Sequence, residues 1–478
     1  DISDYRSIRP ALLNLPDDST QKEREDAFGA FLKQAAKKKI KVIFDIAINH
    51  TSDQHHWFRE ARKSHDNPYR DYYIWSQDDT IYKEARIIFE GLCKSNWEKD
   101  GEWFYFHRFF EFQPDLNYRN PKVLTEMALN LVHWLQLGVD GFRADAIPYL
   151  WKDEGTNCEN LPQTHTVVQF IRAVLDYIRP NTLLLAEACQ KPKEVVKYFG
   201  QGNECHAGYH FPLMPQMFKA LSKQSKEPVI KVLSPDITPE IPEGSQWFTF
   251  LRCHDELSLE LVYVTEEDRK YIHDNYCKVP EWDFRKGQGI SARLANLLDN
   301  DPRKIGLAYS MMLSLPGTPV IYYGDEFGKT NDEAYYREMI KLTGKDDTRF
   351  LVRGKIDWDF LEQELNNRES YSWKVYDQIS NMINIRKQHS SFGKGNIQYI
   401  DVRNDKNKML NEVFAYYRSH GHEQILVINN LCEKDIVIKM PSHKLTDLKK
   451  DILGHSIKIN KQDKTILLPS LNYYWILV

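Results

Sequence analysis

The chain has 478 residues, 42% of them hydrophobic and 13% aromatic, enough for one large apolar core and a smaller second one. Its 64 basic and 68 acidic residues leave a net charge of -4, with no basic excess that would point to nucleic acid or to an anionic membrane surface. No apolar run approaches the roughly 18 residues that span a bilayer, and the segment from Asp1 has no basic-then-apolar leader pattern, so the cytoplasm is the expected compartment. Seven cysteines, an odd count without paired metal-ligand spacing, read as reduced thiols. The sequence leaves self-association into a homo-oligomer open.

Short apolar runs alternate with helix-length amphipathic segments, the pattern of βα units around a parallel sheet. A helix over 23–37 precedes a first strand at 40–48. Between 51 and 115 the rhythm breaks into a stretch rich in aromatic, His and Asp residues, too long for a loop and read as an inserted subdomain. From 116 to 389 the βα pattern returns, with helices at 123–137 and 167–178 and strands at 141–146, 183–187, 207–211, 248–252 and 319–323. After a helix over 372–389, short strands at 412–417, 424–429, 436–440, 465–468 and 473–477 predict a β-sandwich domain from 390 to 478. The fold class expected is an α/β barrel of parallel strands with an inserted subdomain and a C-terminal antiparallel β domain. Six barrel strands are visible in place of eight.

Three carboxylates fall at strand ends: Asp145 in Gly141-Phe142-Arg143-Ala144-Asp145, Glu187 after Leu183-Leu184-Leu185-Ala186, and Asp255 in Arg252-Cys253-His254-Asp255. Acids ending different strands of a parallel barrel converge at its C-terminal face. Two carboxylates flanking a glycosidic bond are the minimal kit for its cleavage, one attacking the anomeric carbon and the other handling the proton. Arg143 lies two residues before Asp145, on the same strand face, where it keeps that carboxylate ionised and oriented; this favours Asp145 as nucleophile. His50 and His254, neutral donors beside these acids, suit sugar hydroxyls. Cys253 is expected on the strand, facing away from His254.

The segments Asp45-Ile46-Ala47-Ile48-Asn49-His50, Gln113-Pro114-Asp115-Leu116-Asn117, Gly141 to Asp145, Ala186-Glu187 and His254-Asp255 resemble the ordered motifs of the α-amylase family, glycoside hydrolase family thirteen. The resemblance implies Asp145 as nucleophile, Glu187 as acid/base and Asp255 as transition-state stabiliser. It implies Asp1, His50, Arg143 and His254 as contacts of the first-subsite glucose, with Gln113 and Arg353 as further substrate-binding residues. Gln-Pro-Asp-Leu-Asn is similar to the oligo-α-glucosidase branch. Narrower still, Asn49 to His55, Glu154 to Pro162 and His210 to Pro215 resemble the branch that interconverts maltose and trehalose. The implied partner is a small disaccharide. The rival readings are an α-glucosidase or transglucosidase acting on maltose or sucrose, and a non-catalytic carbohydrate-binding protein that retains the fold.

Two departures from the family pattern bear on function. Asp1-Ile2-Ser3-Asp4-Tyr5 resembles a motif that follows the second barrel strand, so the first two strands are expected to be missing from this sequence. The resemblance also implies a calcium held by Asn49, Asp115 and backbone oxygens near Tyr149 and Leu150, but Lys152 stands where a glutamate ligand is expected. A lysine there weakens or abolishes such a site, and no cofactor is expected to be required.

Overall fold

The computed structural model describes residues 2–89, 93–439, 450–460, 462 and 464–478. Asp1 and residue 440, the end of one expected strand, lie outside the described residues. The chain folds as two compact units: Asp1–Cys189, Lys193–Tyr209 and Glu240–Gln246 form one, and Gln190–Pro192, His210–Pro239 and Trp247–Val478 the other. No described helix is long and apolar enough to cross a membrane, and all seven cysteines are free thiols.

In the first unit, helix Gln21–Lys37 starts at a capping box in which Thr20 and Glu23 satisfy each other's backbone N–H. Its Phe28 stacks on Phe44 of strand β1 (Ile43–Ala47), ring centroids 5.2 Å apart. The inserted segment carries a small antiparallel sheet of β2 (Trp75–Ser76), β3 (Trp97–Asp100) and β4 (Trp103–Phe106), with β4 in the middle. Helix Pro121–Leu137 follows, capped by Asn120 and stopped by Gly138 at φ 111, a left-handed conformation that favours glycine. Its Trp134 closes edge-on over Phe44 at 4.5 Å and donates its indole N–H to the Tyr5 carbonyl.

β5 (Gly141–Asp145), β6 (Leu183–Ala186) and β7 (Ala207–Tyr209) extend β1 into a parallel sheet in the order β1-β5-β6-β7. Gly141 is required by close approach: a Cβ there would lie 2.6 Å from the Leu183 Cβ and carbonyl oxygen. β1 starts at Ile43, later than the apolar run suggests, because Lys39 turns left-handed at φ 59 after the helix.

In the second unit, β8 (Gln246–Phe250) pairs in parallel with a later strand, after an antiparallel trio of β9 (Leu257–Ser258), β10 (Asp283–Phe284) and β11 (Gly289–Ile290). That parallel partner is β12 (Thr318–Val320), with Thr318 opposite Phe248. β8 stops at Phe250, so Cys253 lies beyond the strand and the expected alternation of faces does not apply to it. The last-turn carbonyls of helix Pro302–Ser314 are satisfied by two largely buried guanidiniums, Arg386 on Leu313 and Arg418 on Ser314.

The C-terminal region holds β13 (Asn396–Ile400), β14 (Val413–His420), β15 (Glu423–Asn430), β16 (Ile436–Lys439), β17 (Lys450–Asp451), β18 (Lys458–Asn460), β19 (Thr465–Leu468) and β20 (Tyr473–Leu477). They form two sheets, β13-β14-β15-β20-β17 and β16-β19-β18. Ala415, Leu426 and Ile476 of the larger pack with Ile438 and Ile466 of the smaller, the alternating inner faces of a sandwich.

Candidate active site

Arg143 organises the first unit's carboxylates. It sits opposite Asp45 in the β1–β5 register, and residues two apart on a strand share a face, so Asp45, Arg143 and Asp145 meet. Its Nη1 donates to Asp45 Oδ1 at 2.7 Å and to Asp145 Oδ1 at 2.8 Å, while Nη2 lies 3.8 Å from Glu187 Oε1. Burial alone would lower the guanidinium's pKa; Glu187, Asp45 and Asp145 outweigh that and raise it well above its ordinary value. The Tyr209 ring of β7 stands 5.8 Å from the guanidinium, and burial pushes its hydroxyl up to about 12. Beyond Asp145 the chain breaks sharply. Ala146 adopts φ 56, a left-handed conformation costing about 1–3 kcal/mol for a non-glycine residue, and its N–H donates to Glu187 Oε2 at 3.1 Å. Asp145 and Glu187 are thus held by one arginine and one strained turn.

His50 is buried where β1 has ended, its Nε2 3.2 Å from Gln113 Nε2 and its Nδ1 3.4 Å from Asn49 Nδ2. Burial holds its pKa below the ordinary value, against the pull of Asp115 and Asp145, so the ring is neutral near pH 7. The residues implied for calcium do not fit a metal. Lys152, 3% exposed, puts its Nζ 2.6 Å from Asp115 Oδ2 and 3.0 Å from Asn49 Oδ1. Two oxygens that a divalent cation would need are already held by an ammonium.

The loop after Asp145 is tied down residue by residue. Cys158 is fully buried in a cluster with Ala85, Trp97 and Phe106 of the inserted segment. Glu159 pairs with Arg86 at 2.8 Å and with the buried Arg108. Glu154 accepts from the Tyr82 N–H at 2.8 Å, and Asn160, left-handed at φ 54, accepts from the Tyr198 hydroxyl at 2.8 Å. The composition of the Glu154-to-Pro162 run is therefore explained by its anchors.

In the second unit Asp255 is gripped from several sides. Oδ1 accepts from Arg353 Nη2 at 2.7 Å and from Arg349 Nη1 at 3.2 Å, and Oδ2 lies 3.2 Å from His254 Nε2. Arg353 also donates to the His254 carbonyl at 2.8 Å, so this expected substrate contact is engaged by protein groups. Glu256 is buried next door; burial and the neighbouring Asp255 raise its pKa, opposed by Arg349 and Arg285.

Comparison with known proteins matches residues 1–284 to the alpha amylase catalytic domain and residues 413–471 to the alpha-amylase SusG C-terminal domain. The chain belongs to the α-amylase family. It is 36% identical over 509 residues to a trehalose synthase/amylase of Mycobacterium tuberculosis, covering 99% of this chain and 80% of the relative. It is 40% identical over 460 residues to a trehalose synthase of Pimelobacter sp. (strain R48), covering 90% and 77%. The solved α-amylase of H. orenii aligns over 100% of this chain and 86% of its own, with a TM-score of 0.72 at 22% identity, a likeness of fold. The fold is that of the family, a (β/α)8 barrel with a C-terminal antiparallel β domain.

Two members of the carboxylate cluster are not evident from the sequence alone. Asp45 opens the Asp45-to-His50 motif and shares Arg143 with Asp145, which only the strand register reveals. Tyr209 ends β7, and its position at a strand end was the available signal.

Proposed function

We propose that this protein is a retaining α-glucosyl transferase that isomerises maltose to trehalose. Asp145 attacks the anomeric carbon of the non-reducing glucosyl unit as Glu187 protonates the departing glycosidic oxygen; the C1–O bond breaks and a glucosyl ester of Asp145 forms. The released glucose turns within the pocket and its anomeric hydroxyl attacks C1, giving its proton to Glu187 as the ester bond breaks. Two inversions give net retention. Asp255, with His254, takes the stabiliser's part, and His50, Arg143 and Gln113 hold the glucosyl ring. Asp1 is assigned to the same ring by motif alone. No cofactor is required in this scheme.

One observation carries the isomerase reading over the hydrolase: the loop of Glu154 to Pro162 is locked onto the inserted segment by Cys158 and Glu159. We take this anchored loop, which follows the nucleophile strand, as the element that excludes water while glucose is retained. Given maltose, the protein is expected to yield trehalose as main product with glucose minor, and labelled free glucose is expected to enter trehalose poorly. Glucose dominating at all times, or free exchange of label, makes it an α-glucosidase instead. Sugar binding without turnover favours the non-catalytic reading.

A further inference from the structure

We propose that the Lys152 ammonium is a built-in structural cation, doing permanently and without metal the work of a divalent ion at the end of β1. Three stretches far apart in sequence meet on it. Asn49 follows β1 and precedes His50, Asp115 closes the inserted segment, and Lys152 follows the nucleophile strand; Nζ reaches Asn49 Oδ1 at 3.0 Å and Asp115 Oδ2 at 2.6 Å. All three residues are essentially buried, Asn49 and Asp115 at 0% and Lys152 at 3%. The Asp115 carboxylate is fixed on its other oxygen by the Arg108 N–H at 2.9 Å, and its own N–H and the Leu116 N–H bond to the Phe106 and Asn49 carbonyls.

Charge explains why a single lysine suffices. Calcium takes six to eight oxygens including carboxylates, whereas an ammonium needs about three acceptors and balances one carboxylate. Here one carboxylate and one amide oxygen face one positive charge, and removing either the Lys152 ammonium or the Asp115 carboxylate leaves an uncompensated buried ion. The cation also orders function. Asn49 Nδ2 lies 3.4 Å from His50 Nδ1, so the group that holds Lys152 also touches the ring proposed to bind sugar.

Replacement is testable because Lys152 lines a cavity of about 410 Å³ walled by Trp75, Tyr82, Trp103 and Trp151. Melting temperature is measured for the full chain with chelator and with millimolar calcium. The wild type is expected to be indifferent to both. Lys152→Met is expected to melt several degrees lower, and adding Asp115→Asn to recover more than half of that loss by removing the orphaned charge. Lys152→Glu is expected to melt low in chelator and to rise with the logarithm of calcium concentration, as linkage requires. Three results overturn the proposal: a wild-type melting temperature that falls in chelator and is restored by calcium, a Lys152→Met as stable as wild type, or a folded Lys152→Glu that ignores calcium. If Lys152→Glu does not fold, the Met and Asn pair decides alone. These readouts are independent of turnover, so they stand or fall apart from the reaction proposed above.

Discussion

The two units treat their acids in opposite ways. In the first, a single guanidinium, Arg143, is shared among Asp45, Asp145 and Glu187. In the second, Arg349, Arg353 and His254 all converge on Asp255. Sharing one cation among three carboxylates orients them about a single positive centre without pairing each one separately, as suits the attacking carboxylate proposed above. Multiple donors on one carboxylate fix its position before substrate arrives, as suits an acid that stabilises without forming a bond. The same residue type is thus held by one shared donor in one place and by several in the other, in keeping with the roles proposed for Asp145 and Asp255.

Removing the reacting oxygens should have the largest effect. Asp145→Asn, with an unchanged circular dichroism spectrum, is expected to lose more than about a thousand-fold in kcat on maltose; a larger residual rate removes Asp145 from the nucleophile's role. Glu187→Gln should cripple turnover of maltose yet spare the first step with a donor whose leaving group needs no proton, because acid assistance matters most for poor leaving groups. Mass spectrometry should then detect a glucosyl ester on the protein. Equal loss on both donors means that Glu187 is not the acid.

Conservative changes of the cations sharpen the contrast. Arg143→Lys gives up a fork that bridges two carboxylates and should lower kcat/KM by about a hundred-fold, since lysine is a point charge without that geometry. Arg353→Lys leaves Arg349 and His254 on Asp255 and should cost about ten-fold. Steady-state kinetics on maltose test the order; a larger loss at Arg353 would reverse the roles assigned to the two units.

How far the sequence reached can be judged at particular residues. The run ending at Asp145 marks β5 by alternation, with buried Phe142 and Ala144 on one face and Arg143 and Asp145 on the other, and the observed strand ends at Asp145 itself. At β8 the expected strand ran to 252 but pairing stops at Phe250, since apolar Leu251 continues the pattern without continuing the ladder. β13 and β18 went unseen: Asn396–Ile400 and Lys458–Asn460 mix polar and apolar residues, and they are strands by virtue of the neighbours they pair with. In the site, Arg143 beside Asp145 was legible from spacing alone. The sharing of Arg143 with Asp45 and the double grip of Arg349 and Arg353 on Asp255 join residues about a hundred positions apart, which no local pattern encodes.

The smallest effect expected concerns a histidine that takes no part in chemistry, and it tests whether the second unit's rigidity depends on neutral buried groups. His210 is 1% exposed; its Nδ1 accepts from the Leu213 N–H at 3.2 Å, which leaves Nε2–H to donate to Thr238 Oγ1 at 2.8 Å, and the ring meets Trp247 edge-on. Burial pushes its pKa from the ordinary 6.5 down to about 4. The folded pKa is depressed, so between those values the unfolded chain binds the proton and the folded chain does not. The stability that His210 contributes is therefore fully present above about pH 6.5 and is lost as pH falls toward 4, at up to about 1.4 kcal/mol per pH unit. His210→Gln keeps an acceptor for Leu213 and a donor for Thr238 but cannot titrate. Urea unfolding at a series of pH values should show the wild type losing stability faster than the variant below pH 6.5 and the two running parallel above it. Parallel curves throughout would mean that the ring is solvated when it protonates, and that burial at this position does not constrain the fold.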